Sequence, residues 1–87
     1  MRNDRVIVVL ARHAGVIAEH AGEDRRALGY FLLAARHCGR DAYLQFAIAK
    51  LHRVLGEEDA AQTALKECIR VAKQEGNDEL LELAQTF

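Results

Sequence analysis

Proline and tryptophan are absent from this 87-residue chain, methionine occurs once, cysteine twice, and aromatic residues make up 6% of it. The lack of proline removes the commonest interior helix breaker, because no residue is missing its amide hydrogen or clashes with the preceding turn. Punctuation then falls to the six glycines. With so few aromatics, a hydrophobic share of 51% has to come from Ala, Leu, Val and Ile, whose small or branched side chains suit closely packed helices. Cys38 and Cys68 are too few and too far apart for a disulfide framework; both lie in apolar stretches, where thiols act as small hydrophobes, and a reducing, cytoplasmic setting is expected. Long hydrophobic runs are missing too. Val6 to Leu10 is too short to cross a bilayer and no cleavage pattern follows it, so no membrane partner is expected. Nor does one sign of charge dominate: the formal net charge is −1, which excludes the broad cationic surface that makes nucleic acid a default partner. The expected class is all-α, in a single domain over 1–87 that hides roughly two-thirds of its unfolded surface and is therefore of modest stability.

What the chain does contain is a period. Gly22 and Gly56 are 34 residues apart, each followed by an acidic pair and, five residues on, by Ala27 or Ala61. The same shift superposes Leu10 on Leu44, Ala14 on Ile48, Gly15 on Ala49, Ile17 on Leu51, Phe31 on Leu65 and Ala34 on Cys68. Self-similarity at that spacing belongs to arrays of helical hairpins, which carry no chemistry of their own and work through the surfaces that stacking creates.

Hydrophobic periodicity divides the chain into five helices. The first, Asp4 to about His20, places Val6, Leu10, Ala14 and Ile17 on its main apolar stripe, with Val9 and Val16 beside it. The second follows the Gly22 turn and runs to about Cys38 with Ala27, Phe31, Ala34 and Ala35 inward; Glu23 and Asp24 suit the positive end of its dipole. Gly39-Arg40 ends it. The third, Asp41 to Leu55 with Asp41 as N-cap, is apolar nearly all round and is expected to be central. The fourth begins after Gly56 and runs to about Glu75, stopped by Gly76. A last short helix, capped by Asp78, offers Leu80, Leu83, Ala84 and Phe87 on one side.

A small residue inside the first helix of a hairpin, a glycine at the turn, an alanine five residues later and an apolar residue four beyond that make a pattern that resembles the tetratricopeptide repeat. Here it reads Gly15, Gly22, Ala27 and Phe31, then Ala49, Gly56, Ala61 and Leu65. The large residue usual early in the first helix is replaced by Ala11 and Gln45, and the closing proline is missing. Tyr43 through Asp78 is similar in particular to the repeats of the fifth subunit of the anaphase-promoting complex, at Tyr43, Ala49, Leu51-His52, Gly56, Ala61, Ala64-Leu65, Glu67, Ile69-Arg70, Ala72 and Asn77-Asp78, about 36 residues that the first repeat matches poorly. The resemblance implies a right-handed α-α superhelix with repeat one over about 8–41, repeat two over about 42–76 and a capping helix over about 78–87. It also implies a non-catalytic protein-interaction module or scaffold subunit without cofactors, for which a large assembly is one setting.

In tetratricopeptide domains the first helix of each hairpin lines the concave face. The resemblance therefore places Val9, Arg12, Val16, Glu19, Tyr43, Phe46, Lys50 and Arg53 in a peptide-binding groove, with Arg12, Lys50 and Arg53 meeting acidic groups of a protein or peptide partner and Tyr43 and Phe46 supplying apolar contact. The asparagines of a carboxylate clamp for chaperone tails are absent, since Val16 and Ala47 stand in their places. The competing reading of these residues is a solvated charged face over core aromatics.

Metal and nucleophile chemistry lack the required spacing. His13 and His20 are two turns, about 10 Å, apart on one helix, and His37 and His52 lie on others, so none forms a ligand set. The adjacent His37 and Cys38 point about 100° apart on a helix, which does not aim base at thiol. A different class rests on Ala35, Gly39 and Ile48, which fit a DNA-binding helix-turn-helix with Asp41–Leu55 as recognition helix; only Gln45, Lys50 and Arg53 would be available there to read bases. Charge is uneven along the chain: residues 1–40 carry seven Arg against four acids, and residues 41–87 carry five Lys or Arg against nine acids. With two hairpins and a cap, apolar surface is expected at both ends of the stack, and end-to-end pairing of copies or incorporation into a larger array is the expected consequence.

Overall fold

The computed structural model describes residues 4–38 and 40–87, and the expected stop at Gly39 lies outside them, as does its place in the helix-turn-helix spacing. The described residues form five α-helices and no strand: α1 Asp4–His20, α2 Asp24–His37, α3 Ala42–Val54, α4 Glu58–Glu75 and α5 Asp78–Thr86. α1 pairs with α2 and α3 with α4, α2 joins the two hairpins by packing on α3, and α5 closes the far side against α4 and α3. This is a tetratricopeptide-like helical repeat.

The turns are built alike. At the end of α1 the Gly22 amide donates to the Glu19 carbonyl (3.0 Å) and the Glu23 amide to Ala18 (2.9 Å). At the end of α3 the Gly56 and Glu57 amides reach Arg53 (3.0 Å) and His52 (2.8 Å) in the same way. Such a closure needs one left-handed residue, and both glycines sit at φ +79°. α4 closes likewise on Gly76 at φ +68°. Asp41 caps α3 as expected, its carboxylate accepting from the Leu44 amide at 3.1 Å. The cap of α5 is Asn77 rather than Asp78, accepting from the Leu80 amide at 3.1 Å, which leaves Asp78 in the first turn where its charge suits the dipole.

Burial corrects the expected inner face of α1. Ala11, Gly15 and Ala18 are buried, whereas Leu10 and Ile17 are 63% and 69% exposed and Val6 is exposed as well. Close approach decides this: a Cβ on Gly15 would lie 2.8 Å from Cε1 of Phe31, so α2 reaches α1 only across the face without bulk. α3 is central as expected, with Ala42, Leu44, Ile48, Ala49 and Leu51 all buried. In α5 only Leu80 and Ala84 of the expected stripe are buried; Leu83 and Phe87 stay exposed, and Leu81 packs against the core instead.

Candidate functional site

The expected groove residues divide into two groups. Val9, Arg12 and Val16 on α1 border a shallow depression of about 300 Å³ together with His13, whose Nδ1 lies 3.0 Å from the Val9 carbonyl oxygen. Arg12 Nη1 pairs with the Asp41 carboxylate at 3.1 Å, which brings this side of α1 to the start of α3. There Tyr43 is 55% exposed and, further along the same side of α3, Val54 is 67% exposed. Glu19 is half-buried at the end of α1.

Phe46 and Arg53 are engaged by α5. The Phe87 ring meets Phe46 edge-on at 5.3 Å and 65°, the Arg53 guanidinium stacks over Phe87 at 4.4 Å, and Arg53 Nη1 donates to the Phe87 carbonyl at 2.6 Å. Arg53 also pairs with Glu58 at 3.0 Å, and the Lys50 ammonium lies 5.5 Å from the centre of the Phe46 ring. Of the three expected cations, Lys50 thus lies against the Phe46 ring, and Arg12 and Arg53 hold carboxylates of this chain. These partners lie 5 to 34 residues away in sequence, and no local pattern announces them.

Histidines serve as links within the fold. His37 Nδ1 lies 3.1 Å from Asp4, and the Glu57 carboxylate accepts from His52 Nδ1 at 2.9 Å and from Arg25 at 3.0 Å. Those two hydrogen bonds, that of His52 first, hold the Glu57 carboxyl below its ordinary range. Burial raises the Cys68 thiol above its usual value. No cluster of three or more His, Cys, Asp or Glu among the described residues has a metal-ligating arrangement, and no helix of the described residues is long and apolar enough to cross a membrane. α3, the recognition helix of the DNA-binding reading, is packed against α2, α4 and α5, with Tyr43 and Val54 on the side left open.

Apolar surface at this end of the stack falls on side chains expected on the inner stripe of α1. On the side of the first hairpin turned away from α3, Ile7, Leu10 and Ala14 of α1 and Tyr30 and Leu33 of α2 border a depression of about 300 Å³ with almost wholly apolar walls. A second, of about 220 Å³, continues past Ala14 to Ile17, Ala21 and Tyr30. The signal was available: Leu10 and Ile17 superpose on Leu44 and Leu51 under the repeat, yet nothing in the first hairpin does for them what α2 does for the second.

Residues 20–87 match the family model of anaphase-promoting complex subunit 5. The chain belongs to that family. The matched span takes in the α1–α2 turn and all of α2, and so extends the likeness beyond the second repeat into the first. No curated protein and no solved structure gives a significant match. Family membership agrees with the all-helical repeat architecture, and the family's description is that of a subunit of a protein complex.

Proposed function

We propose that this member of the anaphase-promoting complex subunit 5 family is a non-catalytic interaction module of a protein complex, binding a peptide or partner protein on the side shared by α1 and α3. The observation that carries this reading is the row of large apolar side chains left open there, Val9, Val16, Tyr43 and Val54. Such a patch, flanked by the cations Arg12 and Lys50, suits a partner with apolar anchors and acidic groups. The pairing of Arg12 with Asp41 does not close the site, because the arginine side chain is 48% exposed and a solvated ion pair contributes little. Phe46 and Arg53, held by Phe87, form its far edge. The two free cysteines support a reducing, cytoplasmic setting.

The test pairs Tyr43→Ala with Lys50→Glu. Partners co-purified with the wild-type protein from its own cell should be lost with the double variant while its helical circular dichroism is unchanged. Equal recovery of the same partners would remove this face from the binding surface.

A further inference from the structure

We propose that the open end of the stack, the apolar side of α1 with Tyr30 and Leu33 of α2, pairs with the same surface of a second copy of this chain, the two α1 helices lying antiparallel about a two-fold axis near Ala14. This surface is distinct from the α1–α3 face, and the inference does not depend on the reading of that face.

The internal repeat supplies the first argument. Gly15 faces Phe31 of α2, and its counterpart Ala49 is buried on α3, the helix that pairs with α4. The stripe Leu44, Ile48 and Leu51 lies about 100° to 160° further round α3, towards α2, whose Leu32 and Ala35 border the same depression as Ile48. All three are buried. Their counterparts Leu10, Ala14 and Ile17 have the same form, and Leu10 and Ile17 are 63% and 69% exposed. This kind of surface therefore accepts an apolar helix, and in this molecule the helix that covers it, α2, precedes it by a short connection and runs antiparallel to it. A two-fold related α1 arrives in that sense.

Shape is the second argument. Leu10 and Ile17 project on either side of Ala14, and a hollow lies beside each, one towards Ile7 and Leu33 and the other towards Ala21. Rotation by 180° about an axis near Ala14 brings Leu10 of one copy to the hollow beside Ile17 of the other, and the reverse, which is the self-complementarity that an isologous interface requires.

Charge permits the pairing. Glu23 and Arg26, the ionic groups bordering the second hollow, are paired with each other at 3.0 Å, so that end offers no unmatched charge to an apposed copy. End-to-end pairing, the arrangement expected from the uneven charge, lacks such a fit. α4 exposes no large apolar side chain, and α5 covers that end with only Leu83 and Phe87 open.

Sedimentation equilibrium from about 1 to 200 μM, with Leu10→Glu, Ile17→Glu and Val54→Glu as variants, tests the proposal. The wild-type chain should show a concentration-dependent dimer. Both changes at the open end should weaken dimerisation at least tenfold with unchanged helicity, because these side chains are exposed in the single copy, and Val54→Glu should dimerise as the wild type does. In a Cys38→Ser background, Ala14→Cys should cross-link to itself under mild oxidation within that dimer. A wild-type chain that stays monomeric throughout overturns the proposal, as does a dimer that survives both glutamates. A monomer that binds a synthetic peptide of the α2 sequence also overturns it and assigns the surface to a helix of another protein.

Discussion

A Cβ placed on Gly15 would stand 2.8 Å from Cε1 of Phe31, in the wall of the ring that fills the space between α1 and α2. Phe31 is itself buried and has no open side to move into. Gly15→Ala should therefore lower stability although alanine is the better helix former by about 1 kcal/mol, and Gly15→Leu should cost about 1 to 3 kcal/mol through overpacking.

Gly29 is the control for that argument. It lies inside α2, and a Cβ there meets nothing within 4 Å. Gly29→Ala should raise the melting temperature, by the equivalent of about 0.5–1 kcal/mol. Thermal denaturation of both alanine variants in one buffer checks the pair of opposite signs.

Closure of the far end rests on α5. Leu80 is 1% exposed and belongs to the main core, so Leu80→Ala should cost about 2–5 kcal/mol. Phe87 is only partly covered and acts through its edge-on contact with Phe46 and the stacked Arg53. Phe87→Ala should cost less than Leu80→Ala in urea denaturation, because it removes the ring beneath Arg53 but keeps the backbone carbonyl to which Arg53 donates.

The helix caps differ in worth. Asp41 and Asn77 each accept a backbone hydrogen bond from the first turn, whereas Glu23, in the same position before α2, makes no side-chain cap bond. Asp41→Ala and Asn77→Ala should each destabilise by about 1 kcal/mol. Glu23→Ala loses only a surface pair with Arg26 and should change stability by less than about 0.5 kcal/mol.

Glu57 links the hairpins through Arg25 and His52, and both hydrogen bonds lower its folded-state pKa. A carboxyl with a lower pKa when folded adds stability that is present above its unfolded pKa and is lost as pH falls through the folded one. Carboxyl resonances followed by NMR should show Glu57 titrating below the ordinary glutamate range. In His52→Ala that midpoint should rise, since His52 is the larger cause, and the fall of stability towards acid pH should become shallower.

The number of helices, their ends and their pairing were legible in the residue order because each depends on local chemistry. Glycines at a fixed distance mark the left-handed closures, Asp41 supplies a cap, and the 34-residue period states that the hairpins repeat. Family likeness was legible for the same reason, through small and large residues at regular positions.

What the residue order alone did not determine is which of two apolar faces of α1 is buried. Leu10 and Ile17 are the larger hydrophobes, and burial of surface by itself favours them. The tertiary structure buries Ala11, Gly15 and Ala18 instead, because Phe31 on α2 needs a face without bulk, and that choice belongs to the pair of helices rather than to either one. The candidate groove was decided in the same way. Arg12 meets Asp41 across 29 residues and Arg53 meets Phe87 across 34, contacts that exist only once the hairpins have stacked. Period and composition establish which helices form; packing between them decides which side chains remain open to a partner.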